Sequence, residues 1–201
     1  MFADYRGVVK LILIRHGATE WSANGRHTGS TDLPLTDHGH QQAANSAAKV
    51  AMMLGGSFAT SWSSPLLRAR TTAEIVLAGR SFAIDPRLCE FDYGDYEGLT
   101  TAEIREHAPG WTVWDGCPGG ETVADVSARV DSFLVDAHES PAAVGIVFAH
   151  GHLLRILGAR AVGQAGEFGR QLGLDTASLS VIEDLRDGPA INLWNDTSHR
   201  T

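Results

Sequence analysis

Two short motifs built from histidine and glycine each follow directly on an aliphatic run of the sequence. They are Arg15-His16-Gly17 and His150-Gly151-His152. Aliphatic runs of this kind predict strands buried on both faces of a parallel sheet. Because ligands of open α/β sheets bind at the carboxyl ends of the strands, we expect the two motifs to meet at one edge of the sheet.

The same rule adds one more arginine and one carboxylate to this edge. Arg68 lies in the first turn of the helix expected after the strand at residues 58–62, and Glu90 follows the short strand at residues 82–84. The sequence therefore predicts a site with two arginines, two histidines and one glutamate.

This set of side chains suits phosphoryl transfer. Two guanidiniums beside imidazoles form a fork of donors that matches a phosphate better than a single carboxylate. Neutral His16 can act as the nucleophile, and nearby arginines disfavour its cation. A bound phosphate favours the protonated form of Glu90, which can then protonate the leaving oxygen and later deprotonate water.

Each feature also has a simpler interpretation. Arg15-His16-Gly17 alone could be a polar strand end, Arg68 could belong to a solvated helix face, and Glu90 could be a surface carboxylate. His150 and His152 could form part of a metal site, but no third ligand at a supporting spacing is evident. The other histidines give no functional case, and the cysteines fit buried thiols. These residues are His27, His38, His40, His107, His138, His199, Cys89 and Cys117.

Strands are predicted to alternate with helices along most of the chain. The expected strands cover residues 8–14, 58–62, 82–84, 143–148, 176–183 and 190–195. The expected helices cover residues 37–54, 65–78, 100–108, 122–139 and 152–162, with Thr36 and Ser64 as N-caps and Thr100 with Glu103 as a capping box. Residues 111–120 are expected to form an ordered loop. This alternation predicts one domain over residues 1–201, an α/β fold with a three-layer α/β/α sandwich and a mainly parallel sheet.

The composition narrows the class of protein further. The 201 residues carry 16 Lys and Arg against 24 Asp and Glu, a net charge of −8, with 43% hydrophobic residues. Excess acid argues against nucleic acid or an anionic membrane as partner, but permits a small anion in a focused pocket. The apolar stretch at residues 8–14 is too short to cross a bilayer or direct secretion, and two cysteines make no disulfide framework. We therefore expect a cytoplasmic protein.

At these residues the sequence resembles the histidine phosphatase superfamily, also called the phosphoglycerate-mutase-like family. The resemblance covers residues 11–21, 25–29, 35–39, 63–73, 90–98 and 148–152. It implies that His16 is phosphorylated, that Glu90 donates a proton, and that the phosphate pocket is formed by Arg15, Arg68 and His150. It also implies substrate contacts near Ser22, Thr28, Gly29 and Gly151.

Within the superfamily, the stretch at residues 114–122, together with residues 19–22 and 26–29, is most similar to the branch of sedoheptulose-1,7-bisphosphatase and small acid phosphatases. Ser22 stands where cofactor-dependent mutases usually carry Asn, and the segment between Glu90 and His150 is too short for the mutase insert. The resemblance thus implies a metal-independent phosphatase of small phosphorylated metabolites, such as sugar bisphosphates, with phosphoglycerate mutase as the alternative. A phosphate-binding module without activity is a third hypothesis, disfavoured by the presence of both His16 and Glu90. No metal or cofactor is expected, and a homodimer is allowed but not required.

Overall fold

The computed structural model describes residues 10–200 of the chain. The first two residues of the first predicted strand, Val8 and Val9, lie outside the described residues. The strands are β1 (Lys10–Arg15), β2 (Ala59–Ser63), β3 (Ala83–Ile84), β4 (Val144–Ala149), β5 (Leu179–Leu185) and β6 (Gly188–Asp196). The helices are α1 (Glu20–Asn24), α2 (Asp37–Leu54), α3 (Leu67–Leu77), α4 (Thr101–His107), α5 (Val123–His138) and α6 (Gly151–Ala161).

All of these strands join one sheet of six strands in the order β3-β2-β4-β1-β5-β6. Strands β1 to β4 run parallel to one another, whereas β5 pairs antiparallel with both β1 and β6. The prediction of a mainly parallel sheet is confirmed. In the register of β1 and β4, Arg15 lies opposite Ala149, so His16 and His150 leave adjacent strands side by side.

Helices cover both faces of the sheet because alternate residues of each central strand point to opposite sides. Leu11 and Leu13 of β1 pack in one core with α5 and α6. Ile12 and Ile14 pack in a second core with α2 and α3. This arrangement confirms the predicted three-layer α/β/α sandwich. Within the described part of the chain, none of the helices has both the length and the apolar character needed to cross a bilayer.

Two details of the predicted elements are wrong. Helix α3 begins at Leu67 rather than at Pro65, and its N-cap is Leu66 rather than Ser64. The Ser64 hydroxyl lies 2.8 Å from a ring nitrogen of His150 and accepts from the backbone N–H of Leu66 at 3.3 Å, so this serine contributes to the site from just before the helix. Helix α1 was not predicted, since five residues are too few to show a hydrophobic period.

The predicted N-termini of two other helices are confirmed. Thr36 accepts a hydrogen bond from the backbone N–H of Gly39 and caps α2. Thr100 and Glu103 form the predicted capping box of α4. Residues 111–120 contain a short 3-10 turn, Val113–Asp115, and Trp111 is buried, as expected of an ordered loop.

Candidate active site

The ring of His16 is held just beyond the end of β1. Its backbone N–H donates to the carbonyl oxygen of Ala149 at 3.0 Å, and its own carbonyl accepts from Ala177 at 3.0 Å. Nδ1 of the ring lies 2.7 Å from the carbonyl oxygen of Gly17. A carbonyl oxygen can only accept, so Nδ1 carries the proton and Nε2 carries the lone pair. Nε2 is therefore the ring nitrogen left for a ligand.

The surroundings of His16 favour its neutral form. Burial, reinforced by the positive charges of Arg15 and Arg68, holds the pKa of His16 well below its ordinary value of 6.5, against the smaller opposing effect of the Gly17 hydrogen bond. A neutral imidazole with an unprotonated Nε2 is a competent nucleophile.

Behind His16, three buried polar side chains form a chain of hydrogen bonds. Nε of Arg68 donates to Nδ1 of His150 at 3.1 Å, and Nε2 of His150 lies 2.8 Å from the Ser64 hydroxyl oxygen. Since Nδ1 of His150 accepts, its proton sits on Nε2 and points to Ser64. Burial and the charge of Arg68 hold the pKa of His150 well below 6.5.

The rest of the Arg68 guanidinium reaches the loop that follows α1. It donates to the carbonyl oxygens of Thr28, Gly29 and Thr31 at 2.9–3.0 Å. The same loop is held from the other side by Glu97, whose carboxylate accepts from the backbone N–H groups of Gly29 and Thr31. Gly29 has no room for a side chain, because a Cβ there would lie 2.7 Å from the Phe91 carbonyl oxygen.

Glu90 lies at the N-terminus of α6. Its Oε1 accepts from the backbone N–H of Leu153 at 2.9 Å, and its Oε2 accepts from that of His152 at 3.1 Å. Oε1 also accepts from the N–H of Phe91 at 2.9 Å. The carboxyl group is therefore fixed between its own loop and the first turn of α6, where unpaired N–H groups favour an acceptor.

Arg15 lies against the same helix end. Its guanidinium donates to the Leu174 carbonyl oxygen at 2.6 Å. A Cβ on Gly151 would lie 3.2 Å from the central guanidinium carbon of Arg15, so the glycine makes room for the arginine. The His150-Gly151 motif thus supplies a buried imidazole and, at the first residue of α6, a position without a side chain.

A cleft of about 180 Å³ opens in front of His16. Six of the predicted site residues line it, namely Arg15, His16, Ser22, Thr28, Glu90 and Gly151. The other three, Arg68, His150 and Gly29, are not among the lining residues; Arg68 and His150 are fully buried behind His16. The Ser22 hydroxyl is engaged in the capping box of α1 with Thr19.

The cleft also has walls that the sequence did not predict. They are formed by Gly25, Arg26, His27, Tyr93, His152, Arg155 and Leu174. His27, for which the sequence analysis found no functional case, is one of these lining residues. A detectable signal was the spacing of Gly151 and Arg155, since residues four apart lie on one face of a helix.

Among these residues are a neutral polar pair, Tyr93 with His152, and two arginines, Arg26 and Arg155. We call the part of the cleft lined by these four residues the outer cleft. The Tyr93 hydroxyl lies 2.7 Å from Nδ1 of His152. Burial raises the pKa of Tyr93 well above its ordinary value and lowers that of His152, so both are uncharged. Arg155 stacks over the Trp114 ring at 4.8 Å, and Arg26 donates to the Gly98 carbonyl oxygen at 2.5 Å.

The possible metal site at His150 and His152 finds no support in the part of the chain that the structure describes. There, no group of three or more His, Cys, Asp or Glu side chains is placed to hold a metal ion. The two histidines have separate partners. His150, the N-cap of α6, contacts Arg68 and Ser64, whereas His152, within the helix, contacts Tyr93.

Comparison with known families identifies the chain. A family model described as the histidine phosphatase superfamily (branch 1) matches residues 11–197. The chain belongs to this superfamily.

Among its named relatives are two phosphatases and one probable mutase. An acid phosphatase of Mycobacterium tuberculosis (strain ATCC 25618 / H37Rv) is 40% identical over 86% of this chain and 85% of its own. Sedoheptulose 1,7-bisphosphatase of Saccharomyces cerevisiae is 35% identical over 75% of this chain and 66% of its own. A relative from Enterobacter sp. (strain 638), 31% identical over 96% of this chain and 95% of its own, is named "Probable phosphoglycerate mutase GpmB".

A solved structure agrees with the fold. The product of an open reading frame of Mycobacterium tuberculosis superimposes with a TM-score of 0.86 at 37% identity, covering 92% of this chain and 96% of its own.

Proposed function

We propose that the protein is a metal-independent phosphatase that hydrolyses small phosphorylated metabolites through a phosphohistidine on His16. The observation that carries the proposal is the state of this side chain. Its Nδ1 proton is bound by the Gly17 carbonyl oxygen, its pKa is lowered, and the ring lines the cleft together with Arg15 and Glu90. Family membership and the phosphatase names of two relatives support the same reaction.

In the first half of the proposed reaction, the lone pair of Nε2 attacks the phosphorus of the substrate. The bond between phosphorus and the leaving oxygen breaks, and this oxygen takes a proton from the Glu90 carboxyl group. Oε1 accepts two hydrogen bonds of 2.9 Å, whereas Oε2 accepts one, from His152, at 3.1 Å. Oε2 is therefore the oxygen better placed to carry the proton.

In the second half, the Glu90 carboxylate accepts a proton from water. The water oxygen attacks the phosphorus of the phosphohistidine, the N–P bond breaks, and Nε2 regains its lone pair as phosphate leaves. The positive charge of Arg15 stabilises the charge that spreads over the phosphoryl oxygens in both halves.

We assign Arg68 and His150 to the inner end of the phosphate site. Arg68 contributes its charge and fixes the ring of His150, whose centroid lies 5.2 Å from that of His16. Ser22 and Thr28 line the cleft where the rest of the substrate would lie, whereas Gly29 acts through its backbone, by holding Arg68 with its carbonyl oxygen.

The outer cleft favours substrates with a second anionic group. Arg26 and Arg155 line it in addition to Arg15, and Glu90 is the one carboxylate among the lining residues that the structure describes. A second phosphate, as in a sugar bisphosphate, would meet two further guanidiniums there. The yeast relative named for a bisphosphate substrate supports this substrate class.

A phosphoglycerate mutase is the second candidate, because one relative carries that name. It would use the same first half-reaction but return the phosphoryl group to a substrate oxygen instead of to water. A mutase must keep water from its phosphohistidine, and this requirement separates the two reactions.

The test is phosphate release from a panel of substrates in EDTA, with His16→Ala and the exposed-histidine control His40→Ala alongside. The panel contains sedoheptulose 1,7-bisphosphate, fructose bisphosphates, 3-phosphoglycerate and p-nitrophenyl phosphate. We expect release by the wild type and by His40→Ala but not by His16→Ala. Isomerisation of 3-phosphoglycerate that depends on added 2,3-bisphosphoglycerate, without net release, would establish the mutase and reject the phosphatase.

We also propose a single domain over residues 1–201 and a cytoplasmic location. Cys89 and Cys117 are both free thiols, which fits a reducing compartment. A homodimer stays a prediction that sedimentation of the purified chain would test.

A further inference from the structure

The five donors of the Arg129 guanidinium, on α5, are all used by the segment that carries Glu90 and by the side chain of Glu121. An arginine side chain has five N–H donors. Here NH1 donates to the carbonyl oxygens of Arg87 at 2.6 Å and Cys89 at 2.7 Å, and NH2 donates to that of Glu90 at 3.1 Å. The remaining two donors form a two-point ion pair with Glu121, at 2.8 and 2.9 Å.

Glu121 extends these hydrogen bonds to the other side of Glu90. Its Oε2 accepts from the backbone N–H of Asp92 at 2.9 Å. Its own backbone N–H donates to the Asp92 carbonyl oxygen, also at 2.9 Å. The pair of Arg129 and Glu121 therefore binds the backbone at Cys89, at Glu90 and at Asp92, on both sides of the proton donor.

These hydrogen bonds matter because residues 89–93 belong to no helix or strand. Backbone carbonyls in such a segment need partners from elsewhere, and a segment without them is free to shift. The Glu90 carboxyl group itself is held by N–H groups of α6. Arg129 fixes the backbone end of the same residue, and together the two attachments leave little freedom for the carboxyl group relative to His16.

We propose that Arg129, with Glu121 as its partner, is a positioning residue for proton donation by Glu90. This inference rests on the proposed function. Arg129 is not among the residues that line the cleft, and it acts on the leaving group through the position of Glu90. Loss of the hydrogen bonds from Arg129 and Glu121 should weaken protonation of the leaving oxygen more than it weakens phosphate binding.

The leaving group provides the test. An alkyl phosphate, such as a sugar phosphate, needs its leaving oxygen protonated, whereas p-nitrophenolate departs as a stable anion. The value of kcat/KM reports steps up to departure of the leaving group, so the ratio of kcat/KM for the two substrates measures proton donation. We expect Arg129→Gln to lower kcat/KM for the alkyl phosphate about 10- to 100-fold, within the range of general acid catalysis, and for p-nitrophenyl phosphate less than about 3-fold.

Arg160 provides a matched control. It forms a two-point ion pair with Asp131 at 2.7 and 2.8 Å, between α6 and α5, away from Glu90. We expect Arg160→Gln to lower the melting temperature less than Arg129→Gln, because its ion pair is more exposed, and to leave the substrate ratio unchanged. Glu90→Gln should change the ratio in the same direction as Arg129→Gln, and by more.

Two further variants keep the test decisive if Arg129→Gln does not fold. Arg129→Lys keeps a charge but cannot reach all of the carbonyl oxygens, and Glu121→Gln removes the ion pair while retaining an acceptor for Asp92. Both should shift the ratio in the same direction as Arg129→Gln. Equal losses on the two substrates, or a ratio shift by Arg160→Gln of the same size, would overturn the inference. Absence of phosphate release by the wild type would instead reject the proposed function.

Discussion

The rings of His16 and His150 lie with their centroids 5.2 Å apart and carry their protons on opposite nitrogens. Nδ1 of His16 donates to a carbonyl oxygen, whereas Nδ1 of His150 accepts from Arg68. Burial and neighbouring arginines lower the pKa of both rings. The edge of the sheet therefore holds two neutral imidazoles beside two guanidiniums, a set of groups that suits a bound phosphate.

The buried neutral histidines predict that stability falls as the solution is acidified from pH 7 to about pH 5.5. The pKa values of His16, His150 and His152 are lowered in the fold, so these rings take up protons near pH 6.5 only when the chain unfolds. The unfolded state then binds more protons, and stability is lost as the pH falls below 6.5. Each histidine contributes up to about 1.4 kcal/mol per pH unit to this slope.

Urea unfolding at several values of pH measures the slope. His150→Gln should remove one histidine's share, and the exposed His40→Gln should remove none. A free energy of unfolding that does not change between pH 7 and 5.5 would contradict the assignment of neutral rings.

Gly17 and Gly39 pack so closely that adding one methyl group at Gly17 should lower both stability and activity. A Cβ on Gly17 would overlap the carbonyl oxygen of Gly39, in the first turn of α2. We expect Gly17→Ala to push the loop after β1 from its place, to destabilise the fold by about 1–3 kcal/mol and to lower kcat/KM at least about 10-fold. Gly173→Ala is the control, since a Cβ there meets nothing within 4 Å. Similar activity of the two variants would show that the loop tolerates the displacement.

The arginines of the outer cleft predict a difference between substrates. Arg155→Gln and Arg26→Gln should raise KM for a sugar bisphosphate by about 10-fold, the loss of one charge-assisted contact, and should leave KM for p-nitrophenyl phosphate within about 2-fold. Arg80→Gln, at an exposed arginine outside the cleft, should change neither value. Equal effects on both substrates would place these arginines at the transferred phosphate rather than at a second anion.

The sequence predicted that His16 and His150 lie side by side, because their positions follow from the sheet. The aliphatic runs located β1 and β4, and the rule for strand ends then brought His16 and His150 together. The outer wall depends on how a short helix and a loop fold back. Helix α1 is too short for periodicity, and His27 reaches the cleft through ring contacts with Tyr93 and Trp111 that only the tertiary structure creates.

Arg129 illustrates a second limit of sequence reasoning. In the sequence it is a charged residue on an amphipathic helix, where a solvated position is the usual outcome. The carbonyl oxygens of Cys89 and Glu90 that it contacts are 40 and 39 positions away in the sequence, and no period or spacing marks them.

The most direct test of the account is to trap the phosphorylated enzyme. The protein is mixed with p-nitrophenyl phosphate in EDTA and quenched with alkali at short times, and its peptides are analysed by mass spectrometry. We predict a phosphoryl group on the peptide that contains His16, stable in alkali, lost in acid and absent from His16→Ala. Phosphate release by the wild type with no phosphorylated peptide at any quench time, or undiminished release by His16→Ala, would contradict a phosphohistidine on His16.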